Sequence, residues 1–470
     1  MSRLPLLAAL LGATVLLGAA GAAVQADDPD PRSVAVTVYN GNLGLVRDQR
    51  RMTLENGVFT LPFPDVASQI DPTSVAFRAL TNPGAVDVLE QNYEFDLLTP
   101  EALLNKYIGE EVTLYIRVDD REVPVRARLL STQGGTVYQI GDSIALNPPG
   151  RVVLPALKGD MKALPTLVWL LKSTRAGSEP VEVSYLTGGL DWKADYVVTL
   201  DAADKTLDLG GWVTLSNTSG TTYPNAELKL VAGDIHRAPR PNGRDEMRMM
   251  REAASAPNAD AFEERTFFEY HLYDLPRPTT IKSNQSKQVR LLEASGVRTE
   301  KVYTLAGAAW YYTQQYGGEQ GLKVGVYQEF DNATANRLGV ALPGGVVRLY
   351  KADADGTVQL VGEDRIDHTP RGERVRLKVG EAFDLVADRR QTAFHVLASG
   401  HVYDEAFEVV IRNHKDEAVT VQVIEPLPGD WEMLQSSLPH EKLDAFTVKF
   451  DVPVPANGET TLNYRIRVRF

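Results

Sequence analysis

The chain contains no cysteine. Disulfide bridges and thiolate metal sites are therefore excluded, and stability must come from packing alone. Histidine is scarce: the seven are His236, His271, His368, His395, His401, His414 and His440. None forms the His-Glu-x-x-His pair of the commonest zinc proteases. No Gly-x-Ser-x-Gly nucleophile elbow occurs either. Positive charge is in deficit, with 49 Lys and Arg against 62 Asp and Glu and a net charge of −13. Phosphate backbones need concentrated Lys and Arg, so no nucleic acid is expected as a partner. After the amino-terminal segment no run is long and apolar enough for a transmembrane helix.

The first 26 residues read as a secretory signal peptide. Arg3 supplies the positive start, Leu4 to Ala23 carries no charge, and Val24-Gln25-Ala26 gives an A-x-A-like cleavage site. Once that segment is removed, no membrane span is expected. The mature protein is expected to be exported, periplasmic or associated with the cell envelope.

The rest reads mainly as strand, and the fold class expected is a multi-domain β-sandwich architecture with a small SH3- or Sm-like barrel and few short helices. "SVAVTVYN" (Ser33 to Asn40) alternates apolar and polar side chains, the mark of a half-buried strand. Asn56-Gly57, between apolar flanks, predicts a tight hairpin. These strands give an N-terminal small β domain over residues 32–96. In "TPEALLNKYIG", Thr99 can cap a helix, Pro100 suits its first position and Gly109 its stop, with Leu103, Leu104, Tyr107 and Ile108 on one face. That helix and the short strands after it predict the small barrel over residues 97–160. A β-sandwich segment follows over 165–236, and a C-terminal β-sandwich region over 266–470. Between them, residues 237–265 lack a β pattern and read as a mobile loop, in which "RDEMRMMREAA" could form a short helix presenting Met247, Met249 and Met250. "GWVTLSNTSGTTYPNAELKLVAG" and "FEVVIRNHKDEAVTVQVIEPLPGDW" share a shape: a strand, a polar turn opening at Asn217 or Asn413, and a return strand.

Chemistry is hard to find. His395 and His401 are closest in sequence, but the Ala-Ser-Gly between them predicts a turn rather than a shared strand face. In "DADGTVQLVGED" the Asp-x-Asp-x-Asp-Gly spacing of a calcium loop is shortened by two, and the stretch reads as a hairpin turning at Asp355-Gly356. Acidic pairs such as Asp119-Asp120, Asp364/Asp367 and Asp384/Asp388 do not stand out among so many acids. No catalytic, cofactor-binding or metal-ligating residue is therefore assigned, and no cofactor is expected. Trp310, Tyr311 and Tyr312, read as part of a strand, must alternate between its faces, so at least one ring should face outward to meet a sugar, a peptide or a partner protein. Trp192 and Trp212 read as anchors that bury their rings between sheets, with Asp191 and Lys193 on the wetter face. The closing "LNYRIRVRF", ending at Phe470, reads as a final sandwich strand.

"LTGGLDWKADYVVTLD" with "GWVTLSNTSG…AELKLVAGDI" resembles the domain-of-unknown-function 4139 family, which includes mucoidy inhibitor A-like exported proteins. "YNGNLGLVRDQR", "IDPTSV", "VLEQNYEFDLLTPEALLNKYIGEEV", "LPGGVVRLYKADADG", "GEAFDLVADRR" and "IRNHKDEAVTVQVIE" extend the resemblance over most of the chain. The absence of a long coiled-coil insertion around residues 60–160 points to a separate branch. The resemblance implies an exported, mainly β protein with no catalytic residues to carry over. The function expected is a non-catalytic binding or assembly module for an envelope protein or polymer. An envelope hydrolase with carboxylates from distant strands, and a purely structural protein, are the alternatives. The oligomeric state is left open.

Overall fold

The computed structural model describes residues 32–95, 99–118, 121–156, 162–233, 263–267, 270–398 and 401–470. The expected signal peptide and residues 237–262 lie outside them, whereas 263–265 belong to a strand, Glu263–Phe267. The protein is mainly β, built from several multi-stranded sheets, with one α-helix among the described residues.

Two halves of the chain repeat one topology. In the first, Arg32–Tyr39 pairs antiparallel with Leu43–Leu54, which pairs in turn with Gly177–Thr187. The chain turns at Gly188-Gly189 into Leu190–Leu200, which pairs with Thr206–Asn217. It then arches into Tyr223–Ala232, which lies parallel to Arg32–Tyr39. Thr279–Ile281 joins that strand, and Gln285–Arg298 returns to Thr206–Asn217. In the second half, Glu300–Ala306 pairs with Gln320–Asp331. The single strand Arg374–Ala398 pairs first with Gln320–Asp331 and then with Val402–Asn413. An arch leads to Val419–Pro426, parallel to Glu300–Ala306; Thr447–Val454 joins it, and Gly458–Arg469 returns to Val402–Asn413. Strand for strand the order is the same.

The segments opening at Asn217 and Asn413 are arches that cross to another set of strands, because the strands on either side of each do not pair with one another. Asn56-Gly57 departs from its expectation in the same way. Leu43–Leu54 and Gly57–Pro64 enter different sheets, the latter pairing with Thr166–Ser173. The alternation of Gly57–Pro64 buries Phe59, Leu61 and Phe63, so burial draws this strand away from its neighbour and overrides the local hairpin preference.

Each half carries an insertion between its second and third repeat strands. In the first, strands Gly57–Pro64, Val86–Glu94 and Thr166–Ser173 form a three-stranded sheet that packs into the main core. Nested within that insertion is a separate five-stranded sheet preceded by the helix Pro100–Lys106. Thr99 Oγ1 accepts from Ala102 N at 3.1 Å, as its place in the sequence predicts. Tyr107, Val112, Leu114, Ala127, Leu129 and Tyr138 form this sheet's own core, while Ile108, expected on the apolar face, is exposed. In the second half the insertion is the hairpin Gly345–Ala352 and Val358–Ile366, which turns at Asp355-Gly356 as expected. It does not join its own half: Gly345–Ala352 lies parallel to Leu190–Leu200 and extends the first half's sheet. Lys301 and Lys351 both reach Asp204, at 2.8 and 2.5 Å.

Candidate functional site

Trp192 is an anchor. Its indole is buried, its Nε1 donates to the Val231 carbonyl on another sheet at 3.2 Å, and its ring meets Tyr273 edge-on. Asp191 and Lys193 face solvent. Trp212 differs from its expectation. Parity along Thr206–Asn217 sends Leu209, Val213 and Leu215 inward and leaves Trp212 half-buried on the other face, with the Arg290 guanidinium 5.5 Å from its ring. The sequence around Asp195 and Trp212 offers no reactive arrangement: Asp195 accepts from Thr214 Oγ1 and faces Arg348.

The second aromatic segment is more informative. Residues Ala309–Tyr312 form a 3-10 turn rather than the expected strand, so the three rings fan out instead of alternating. Tyr311 and Tyr312 are buried, whereas Trp310 is 44% exposed. Trp310 packs against Tyr311 and Tyr316, with centroid separations of 4.4 and 5.3 Å, and Tyr311 meets Tyr316 at 5.7 Å. The exposed indole therefore stands on two tyrosines.

Beneath them lies a buried polar cluster that sequence reading did not find. Arg389 comes from the long strand Arg374–Ala398, Glu425 from Val419–Pro426 and Tyr464 from Gly458–Arg469. Arg389 Nη2 donates to Glu425 Oε1, and its Nη1 donates to the Tyr464 hydroxyl at 2.9 Å. Tyr312 donates to Glu425 Oε2 at 2.7 Å. The guanidinium also lies 4.5 Å from the centre of the Tyr311 ring, a cation–π contact strengthened by the absence of water. A buried ion pair of this kind persists because each partner also holds a tyrosine hydroxyl, Tyr464 on Arg389 and Tyr312 on Glu425.

Gln391, two residues along the same strand, connects the cluster to the overlying loop. Its Oε1 accepts from Tyr316 N at 3.0 Å, and its Nε2 donates to Glu405 Oε2 at 3.0 Å. Glu405 is fully buried, and burial pushes its carboxyl up to about 7 although the Gln391 bond pulls it down. Tyr316 is raised to about 12, again by burial, with Arg389 opposing. Among the described residues, three buried atoms in this group, Arg389 Nε, Glu405 Oε1 and the Tyr316 hydroxyl, have no hydrogen-bond partner. Buried polar atoms are nearly always satisfied, so three together mark an unusual place.

Other features carry less chemistry. His395 lies within the long strand, which ends at Ala398, and His401 N closes a turn on Ala398 O, so the two do not share a strand face. Asp364 and Asp388 are engaged, the first by Lys378 N and the second by Arg412. Asp119-Asp120 lies outside the described residues. Among the described residues no group of three His, Asp or Glu is placed to hold a metal ion. A cleft of about 280 Å³ lies at Arg298, Glu300, Glu329 and Arg374, but Arg374 pairs with both acids, at 3.2 and 2.9 Å. No described helix is long and apolar enough to cross a membrane.

Residues 181–470 match the family model described as "Domain of unknown function (DUF4139)". The chain belongs to this family. The matched region begins inside the first repeat and takes in the arches at Asn217 and Asn413, both Trp192 and Trp310, and every residue of the buried cluster. The nested five-stranded sheet lies outside it. No curated protein matches the chain.

Proposed function

We propose that this DUF4139 protein is a non-catalytic binding or assembly module of the cell envelope, working through the Trp310 face. The observation that carries this reading is the exposed indole held on Tyr311 and Tyr316 above a fixed ionic base. A large aromatic surface already ordered before contact loses little entropy on binding, which is what recognition surfaces require. The uncharged amino-terminal run with its A-x-A-like end supports an exported location.

Tyr311 and Tyr312 serve as support, so Trp310 is the residue to alter. In-cell crosslinking of tagged protein followed by mass spectrometry tests the reading. One dominant captured species, lost with Trp310→Ala in a protein that still folds, is expected. Capture unaffected by that substitution would remove the Trp310 face from the function.

A hydrolase reading draws on one observation, the Glu405 carboxyl poised near neutrality, as a general acid would be. Against it, Glu425, the other acid of the cluster, is tied to Arg389 and Tyr312. Turnover of envelope glycans that disappears in Glu405→Gln would favour the hydrolase over the binding module.

A further inference from the structure

We infer that Glu405 is a proton-controlled latch on residues 313–318, and through them on the Trp310 face: the protonated carboxyl keeps that segment closed, and ionisation releases it. The inference rests on the reading of the Trp310 face as the binding surface and adds its regulation.

The latch is a chain of three groups. Glu405 Oε2 accepts from Gln391 Nε2 at 3.0 Å, Gln391 Oε1 accepts from Tyr316 N at 3.0 Å, and Gln391 Nε2 also reaches Gln314 O at 3.4 Å. One amide thus ties the segment to the buried carboxyl. Trp310 stands on Tyr311 and Tyr316, so a segment that lifts takes away one of the two rings under the indole. Gly317 and Gly318 have open space where a side chain would begin, and Gly318 has φ +83°, so nothing packs this end of the segment down.

A buried carboxylate needs a cation or several hydrogen bonds. Among the described residues Glu405 Oε1 has no partner, and the bond on Oε2 comes from a neutral amide. The groups around it do not relieve the charge. Arg389, on the same strand as Gln391, is bound to Glu425 and to Tyr464 of Gly458–Arg469. Asp404, next to Glu405 in Val402–Asn413, points to the opposite face, where Arg465 and Arg467 hold it and His395 lies across from it in register. From the segment itself comes Tyr316, whose hydroxyl is raised to about 12 by burial and so stays neutral. Burial accordingly holds the Glu405 carboxyl near 7.

Once ionised, the carboxylate gains most from water, and the segment is the lightest cover to move. Val402–Asn413 is laddered on both sides, to Arg374–Ala398 and to Gly458–Arg469. Opening either ladder breaks a row of backbone bonds, whereas lifting residues 313–318 breaks the two bonds to Gln391. The closed state holds the proton more tightly than the open one, so the open fraction rises with pH from about 4.5 and levels off above about 7.

Hydrogen–deuterium exchange of the full-length chain, read by mass spectrometry over residues 313–318 and corrected for the intrinsic rate, tests the latch. The corrected rate should rise roughly 70-fold between pH 5 and pH 8, the ratio set by a carboxyl at about 7 when closed and 4.5 when open. Glu405→Gln, which stays neutral, should show no such rise, and His395→Gln should keep it. A flat profile in the natural chain, an equal rise in Glu405→Gln, or exchange that quickens at residues 402–405 before 313–318 would overturn the latch; the first and last are read without any variant. The binding reading fails separately. Exchange that follows the latch, with cellular capture unchanged by Trp310→Ala, would keep the latch and remove the face from binding. Capture lost with Trp310→Ala beside a flat exchange profile would overturn the latch alone.

Discussion

Asn217 and Asn413 close the same arch in the two halves of the fold. Each is buried at the end of a strand, and each accepts on Oδ1 from the backbone N–H two residues on, Ser219 or Lys415, at 3.0 Å. Each donates from Nδ2 to the carbonyl four residues on, Thr221 or Glu417, at 2.9 and 2.8 Å. Each also reaches the far strand connection, Ile281 and Lys282 in one half and Pro455 in the other. The asparagine amide offers two donors and an acceptor on one short side chain, where a serine or threonine hydroxyl offers a single donor.

Replacing Asn217 with alanine leaves two buried carbonyls and a buried N–H without partners, whereas the groups freed by Asn413→Ala are only part-buried. Asn217→Ala should cost about 2–4 kcal/mol, from the penalty of one to a few unsatisfied buried groups, and Asn413→Ala less. Urea unfolding of Asn217→Ala and Asn413→Ala measures this, and a cost under about 0.5 kcal/mol in both would show that the arches hold without them.

Glu405 gives stability a pH dependence of unusual sign. Its carboxyl titrates near 7 in the folded protein, above the ordinary value of 4.5. The folded state therefore holds the proton more tightly than the unfolded chain, and this group's stability contribution falls as pH rises from about 4.5 to about 7, then levels off. The loss amounts to about 3 kcal/mol at alkaline pH. Glu405→Gln should remove that fall, and the difference between the two proteins in unfolding free energy should grow from pH 5 to pH 8. A constant difference would contradict the assignment.

The Arg389–Glu425 pair offers a double-mutant cycle. Arg389→Met alone strands a buried carboxylate and should cost about 3–5 kcal/mol. Adding Glu425→Leu should recover much of it, because the remaining charge is gone. If the double variant is no more stable than the single one, the tyrosine hydroxyls rather than the ion pair hold the cluster.

At Gly345 a methyl group would meet the Ala194 carbonyl oxygen at 2.3 Å. The parallel strands there approach so closely that only hydrogen fits. Gly345→Ala should cost about 1–3 kcal/mol, the usual penalty of overpacking, with faster amide exchange along Leu190–Leu200. Unchanged exchange would mean that the inserted hairpin has room to shift.

Local structure was largely legible in the sequence. Alternation gave the strands, Thr99 and Pro100 gave the helix, and Asp355-Gly356 gave the hairpin. The equal placement of Asn217 and Asn413 hinted at the duplication that the topology displays. What escaped reading was set by partners far along the chain. Nothing local in Arg32–Tyr39 announces a parallel partner at Tyr223–Ala232, and Asn56-Gly57 looks like a hairpin until burial sends Gly57–Pro64 elsewhere. Trp310–Tyr312 were visible as aromatics, but the 3-10 turn that separates the exposed ring from the buried ones was not. Arg389, Glu405 and Glu425 had no sequence signal, since each lies on a different strand among many similar charges.

The borrowed hairpin also sets a timetable. Leu190–Leu200 is covered on one side by Thr206–Asn217 and on the other by Gly345–Ala352. The second partner emerges roughly 150 residues later, a delay of about 8–30 s at ordinary rates of synthesis. For that interval an apolar strand that includes Trp192 and Tyr196 shows an open edge, the kind of surface on which chains stick to one another. A chain handed across a membrane unfolded, and released only once complete, never passes through that interval.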